Sequence, residues 1–368
     1  MKNRLGKYTS IGGQALIEGI MMKSPEKTAM AVRKPDGDID ISYIEGKPLK
    51  ERYKIFGIPL IRGAVAFVES LVGGYKAMMK SAEISGFTDF DEESEKQENV
   101  PVEETVPENG EETPEEITEE ITEETQTSEK TEEKKDDSKL MIAVTLIGSV
   151  LGVLLAVVLF ILVPSLAVTG VEKFIINSEF SSVARAALEQ VIKLLILVAY
   201  VWAVSFMKDI KRVFMYHGAE HKTIFCYEHG KKLTVENVRG ERRFHPRCGT
   251  SFMILMILVS FFISILVMWL FEGIYEIKAL WVAVKILLIP LVCGLGYEVL
   301  KICGKYDNVF TRIIAAPGMW LQHITTKEPE DDMIEIAIAA LKACEPETPD
   351  VDRSIDEEDE AKDEQDDI

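Results

Sequence analysis

The sequence predicts a mainly α membrane protein: four transmembrane helices with a small N-terminal β-containing cytoplasmic module, an interfacial amphipathic helix and disordered acidic segments. Three observations predict it. Four stretches of about 20 residues are almost uncharged and apolar, the length a helix needs to cross a hydrocarbon core of about 30 Å. Residues between Thr28 and Ile44 alternate apolar and polar around a Pro-Asp-Gly turn, as strands of a hairpin do. Charge is partitioned: of a formal net charge of −20 over 368 residues, 89–139 carry −17 and 345–368 carry −11, leaving the rest at about +8.

The elements follow in order. Residues 1–54 form the β-containing module, with Met30 and Val32 on one arm and Ile39, Ile41 and Tyr43 on the other. No apolar run follows the first positive charges, so a cleaved signal peptide is not expected and the chain starts in the cytoplasm. Residues 55–84 are apolar except for Arg62, Glu69 and Lys76, seven apart on one helical stripe, the pattern of an interfacial or re-entrant helix. A core helix of a soluble domain fits the same pattern. Residues 89–139 repeat TPEE and ITEE units and cannot bury enough apolar surface to offset chain entropy, so they read as a disordered acidic linker. The tail 345–368 reads likewise.

The spans are 140–163, closed by Pro164; 188–207, with Lys193 inside; 252–271, uncharged; and 280–300, with Lys285, a kink at Pro290 and Glu298 near its end. Between the second and third, the loop 208–251 carries ten Lys or Arg, while the other connections are short and nearly balanced. The basic loop is retained inside, which places both chain ends in the cytoplasm of a multi-pass cell-membrane protein. The C-terminal segment 301–344 contains a short amphipathic helix, with Pro329 and acids at its start and Met333, Ile336, Ala337 and Ala340 on one face. Five scattered cysteines form no disulfide framework and are expected as thiols. The basic ordered part suits a lipid bilayer with anionic headgroups as partner. Membrane-protein partners are compatible with it, and nucleic acid is not expected.

The candidate site is YHGAEHK, Tyr216 to Lys222. On a helix continuing from the second span, His217 and His221 share a face one turn apart and Glu220 lies between them in projection. Two imidazoles at that spacing can occupy two positions of a Zn²⁺ tetrahedron, and an unligated carboxylate beside them can take a proton from activated water. Glu220 is the candidate catalytic residue, in the H-x-x-E-H order of inverted zincins. Gly218 weakens the helix reading by about 1 kcal/mol. His245 and Cys248, in FHPRCGTSF, return to the same boundary just before the third span and are candidate ligands; Glu298 is a less favoured one. Ordinary interfacial polar side chains are the bland alternative.

Cys226-x-x-His229 with His245-x-x-Cys248 is a rival, structural zinc arrangement, which makes Cys226 a further candidate ligand. The Gly-Gly-Gln of IGGQALIEG matches the peptide-release tripeptide of translation factors over three residues only, and no P-loop is present. Its glycines serve backbone turns or a close approach. Lys193 and Lys285 are expected to pair with Glu189 across the bundle, with an ion path secondary.

GGQALIEGIMMKSP, YHGAEHK, CYE, LTVENVR, HPRCGTSF and PGMWLQHITTKEPEDDMIEIAIAAL together resemble the bacterial membrane family called domain of unknown function 1385, often described as predicted metal-dependent enzymes. The resemblance spans about Ser10 to Ala343 apart from the linker. It implies that His217, Glu220, His221, His245 and Cys248 belong to the family's characteristic words, and it leaves His229 outside them. The membrane fold departs from that of soluble inverted zincins, so their peptidase activity does not carry across. The functional expectation is a zinc-dependent hydrolase of a lipid-linked or membrane-embedded substrate; the alternative is a non-catalytic membrane or envelope-biogenesis factor with a structural metal or none. A transporter subunit using Lys193, Lys285 and Glu298 is the third reading.

Overall fold

A computed structural model of the chain describes residues 9, 11–44, 49, 53–87, 147–148, 150–178, 180–271, 273, 277–306 and 308–345. The expected linker 89–139, tail residues 346–368 and the first residues of the expected span 140–163 lie outside them.

Four strands, β1 (Gly12–Leu16), β2 (Gly19–Lys23), β3 (Thr28–Arg33) and β4 (Ile39–Tyr43), form an antiparallel meander in the order of the chain. The expected hairpin is β3–β4, with Ala31 opposite Ile41. The β1–β2 hairpin was not expected, and the reason is its turn: Ile17 and Glu18 join the strands where a two-residue hairpin ordinarily has Gly, Asn or Asp. One face of the sheet carries Ile20 and Met22, the other Leu16, Met30 and Val32. At the β1–β2 turn Glu18 takes a left-handed φ of 50°, and its carboxylate is held by Arg212 and by Tyr216 Oη at 3.0 Å.

The helices are α1 (Ile61–Ile84), α2 (Val150–Ile176), α3 (Ser182–Val204), α4 (Lys208–Glu228), α5 (Val235–Arg239), α6 (Gly249–Leu270), α7 (Lys278–Leu287), α8 (Ile289–Lys305), α9 (Val309–Thr325) and α10 (Asp331–Cys344). Three of them, α2, α3 and α6, are long and apolar enough to cross a membrane, and α7 with α8 form a pair bent by 43° that would make a fourth span. On α2, Leu151, Val153, Leu154 and Leu155 are each more than half exposed. A helix apolar all round with its side chains uncovered needs lipid rather than water around it. By length and composition, these helices suggest a multi-pass membrane protein.

The first span ends later than expected. Pro164 has no N–H for the Phe160 carbonyl, which ordinarily breaks a helix. Here a π-helical turn, Val158–Leu162, lies immediately ahead of the proline and the helix continues to Ile176. The second span ends sooner: the chain turns through Ser205–Met207, and α4 is a separate helix with an extended N-cap at Met207.

The N-terminal sheet is not a separate module. One face, with Ile11, Ala15, Ile20, Met22, Ala29 and Ala31, shares a core with α4 and α10; the other packs on Ala77 of α1. Helix α10 is buried more fully than one amphipathic face implies, since Ile334, Ile338 and Leu341 are covered as well. Along α1, the start of the helix lies against α8, where a Cβ on Gly63 would meet Tyr297 Cβ at 2.7 Å and the Gly294 Cα at 2.9 Å. Arg62, from the polar stripe, pairs with Glu298 through Nε at 2.6 Å and Nη2 at 2.5 Å. Glu69 accepts from the Leu49 N–H at 2.6 Å.

Candidate metal centre

Helix α4 presents His217, Glu220 and His221 toward the start of α6, where Cys248 is the N-cap residue. The helix passes through Gly218 without a break. Lys327 N–H donates to the Phe214 carbonyl at 2.8 Å, and this brings the Lys327 carbonyl so close that a Cβ at position 218 would overlap it. Glycine is there for the close approach, at the cost in helix propensity that the sequence foretold.

His217 Nε2, His221 Nε2 and Cys248 Sγ face one another. These three residues offer ligand atoms all within 4.8 Å of each other, and His217 Nε2 lies 3.1 Å from Cys248 Sγ. The ring orientation has a backbone cause. His217 Nδ1 is 2.9 Å from the Thr325 carbonyl and His221 Nδ1 is 2.5 Å from the Arg243 carbonyl. A carbonyl only accepts, so each Nδ1 carries the hydrogen and each Nε2 is turned inward, the arrangement that orients histidines at metal sites.

Cys248 is placed by a buried lock. Thr9 N–H and Oγ1 both donate to Glu228 Oε1 at 3.0 Å, and Arg247 pairs with the same carboxylate and with the Thr9 carbonyl. The sulfur accepts from Thr250 Oγ1 at 3.3 Å at the first turn of α6, where the helix dipole favours negative charge. Burial pushes the Cys248 thiol up, but the His217 and His221 imidazoles hold it well below the usual cysteine range. In turn, burial works against protonation of His217, yet the Cys248 sulfur and Glu220 raise it to about 9.

Glu220 lies beside the three donors without joining their group. Its carboxylate is reached by the Gly13 N–H on the outer edge of β1, and a Cβ on Gly13 would come within 2.9 Å of Glu220 Cδ. Burial raises the Glu220 carboxyl above its ordinary range, with His217 and His221 opposing. The Gly-Gly-Gln word therefore has a local purpose: Gly13 lets β1 touch the glutamate, and Gln14 fills the notch left by Gly74 of α1.

The other sequence candidates lie apart from the three donors. His245 stacks near His221, with ring centroids 5.5 Å apart, but its Nε2 faces Arg247 Nη2 at 3.3 Å and its Nδ1 faces the Arg247 N–H at 3.4 Å. Burial, then His221 and Arg247, hold it well below the ordinary histidine range. Cys226 donates to the Lys232 carbonyl at 3.3 Å in the core, His229 pairs with Glu241 at 2.9 Å, and Glu298 pairs with Arg62. Sequence reasoning missed Gln322, whose amide bonds both the N–H and the carbonyl of His245 at 2.7 and 2.8 Å, and the Thr325 and Arg243 carbonyls. A backbone carbonyl leaves no residue-type signature, so only the three-dimensional arrangement could find the last two.

The donor set suits zinc. Two nitrogens and one sulfur are borderline-soft ligands of the kind zinc accepts, and His217, His221 and Cys248 would hold it. Three protein donors leave a fourth position open.

Fold and site together define a bundle of apolar helices joined to a sheet-and-helix body that encloses a His₂Cys cluster. The chain belongs to the family described as Protein of unknown function (DUF1385), whose profile matches residues 58–347. It is 33% identical over 334 residues to the uncharacterized protein YqhQ of Bacillus subtilis (strain 168), covering 90% of each chain. No solved structure matches it. Neither match names an activity.

Proposed function

We propose that the protein is a metal-dependent hydrolase of the cytoplasmic membrane, with both chain ends and the metal centre on the cytoplasmic side, acting on a membrane-associated substrate. The observation that carries this reading is the convergence of His217, His221 and Cys248, with both Nδ1 atoms tied to carbonyls and Glu220 adjacent but outside the donor group. A bound Zn²⁺ supplies Lewis-acid polarisation of a carbonyl or phosphoryl oxygen and acidifies water. Glu220 takes the proton as general base, and a carboxyl raised by burial has the direction needed for a base working near neutral pH. The Gly13 N–H orients that carboxylate, and burial, with His221 and Arg247, disfavours a charge on His245 beside it. The cytoplasmic placement is supported by the ten basic residues of 208–251.

Burial supports a second reading, in which the ion is structural and the protein is a non-catalytic membrane factor. His221 is 1% exposed and Cys248 9%, as in closed sites. One experiment separates the two. Elemental analysis of detergent-purified protein should find one equivalent of metal in the wild type and in Glu220→Gln, and none in His217→Ala/His221→Ala. Glu220→Gln should fail to complement a deletion strain. Full complementation by it rejects catalysis through Glu220, and a wild type without stoichiometric metal rejects the metal itself.

A further inference from the structure

A second polar cluster lies inside the helix bundle. On α3, Arg185, Glu189, Gln190 and Lys193 recur at helical spacing. Arg185 pairs with Glu172 of α2 at 2.6 Å and donates to Thr169 at 2.9 Å. Glu189, fully buried, accepts from Lys285 Nζ of α7, which sits 4.9 Å over the Trp281 ring. Lys193 is 8% exposed and makes no hydrogen bond or ion pair among the described residues; the charges it feels are Lys285 and Glu189. Both polar atoms of the Gln190 amide, Trp281 Nε1 and Glu189 Oε1 are buried and also lack partners among the described residues.

The charges do not cancel. Among the described residues, Arg185, Lys193 and Lys285 face only Glu172 and Glu189, which leaves one positive charge over in that set. At 1.5 Å per residue Glu189 and Lys193 lie about 10 and 16 Å along α3, near the middle of a span of about 33 Å. Charged groups at that depth are costly and mark binding sites more often than structural ones. Independently, the chain breaks between α7 and α8 three residues after Lys285, with a bend of 43°. Broken helices at mid-membrane depth recur where ligands are bound, because the break frees backbone groups beside the site.

We propose that this cluster binds a singly charged phosphate-type oxyanion that still carries a proton, either free or as a lipid headgroup. Lys193 supplies the charge, Gln190 Nε2 and Trp281 Nε1 donate, and Glu189 Oε1 accepts from the ligand's own hydroxyl. A simple halide would leave that acceptor unmet. The proposal rests on the membrane reading of α3 and α7 and is independent of the metal centre.

The test uses the full chain in phosphatidylcholine nanodiscs, with thermal unfolding followed against added inorganic phosphate in one arm and incorporated phosphatidic acid in the other. The wild type should gain about 3–6 °C, saturably, in at least one arm, and the responding arm identifies the source. Lys193→Met should lose that gain. If Lys193→Met does not fold, Trp281→Phe should require several-fold more ligand for the same shift. No gain for the wild type in either arm, a full gain for Lys193→Met, or an unchanged midpoint for Trp281→Phe overturns the proposal. A fluorophore on Leu195→Cys, a lipid-facing position 63% exposed in the bundle, reports embedding separately through quenching by brominated acyl chains. An unquenched probe refutes the membrane placement itself; a quenched probe with no response in either arm refutes only the site.

Discussion

At the scale of single residues, one glycine decides whether α4 can lie against the chain after α9. Gly218 costs helix propensity, and a reading that counts only propensity expects alanine there to stabilise by about 1 kcal/mol. The Lys327 carbonyl reverses the sign. Gly218→Ala should destabilise by about 1–3 kcal/mol, because either α4 or the chain after α9 must move, and it should lower metal content with it; unfolding in detergent with parallel metal analysis reads both. The loop that carries the Arg243 carbonyl gives a pH prediction. Burial works against ionising Glu241, but Lys231 at 2.8 Å and His229 at 2.9 Å hold its carboxyl below the ordinary range. A depressed native pKa contributes stability above the unfolded value and loses it as pH falls through the native one. Glu241→Gln should therefore unfold at a lower temperature than the wild type at pH 7, and the two curves should converge below about pH 4.5. Parallel curves over the whole range would exclude the mechanism.

At the scale of elements, what the sequence made legible depended on which side chains face solvent. The uncharged run of α6 was readable from its length, and the hairpin β3–β4 from its Pro-Asp-Gly turn. By contrast β1 and β2 were hidden because Ile17 and Glu18 give no turn signal between them, and α9 by a proline, Pro317, within its run. Within the site, the HxxEH face and Cys248 were visible as ligand types. The edge N–H of Gly13 and the carbonyls of Thr325 and Arg243 were invisible, since every residue has them. Helix α1 met its even alternatives with a mixture: it lies on α8 at one end and on the sheet at the other. Gly294→Leu would meet the Leu60 carbonyl and should lift the first half of α1 away. Limited proteolysis should then cut within residues 58–70 several-fold faster, with metal content unchanged; equal cutting would show that the contact with α8 does not hold α1 in place.

At the scale of the whole molecule, the sheet, α4, α5 and α10 form one body. The proposed four-span arrangement therefore predicts residues 9, 230 and 345 on one side of the membrane and the α2–α3 and α6–α7 turns at 178 and 273 on the other. Reporter fusions active only outside the cytoplasm should be silent at 230 and 345 and active at 178 and 273. Any exchange between these two sets refutes the four-span arrangement. The same body joins the beginning of the polypeptide to its end: β1 supplies the hydrogen to Glu220, α4 the imidazoles, and the last residue of α9 the carbonyl that turns His217. A ribosome has emitted the histidines some hundred residues before it emits Thr325. Until then His217 lacks the carbonyl that turns its ring, and a chain truncated before Thr325 should hold Cys248 opposite an unoriented imidazole.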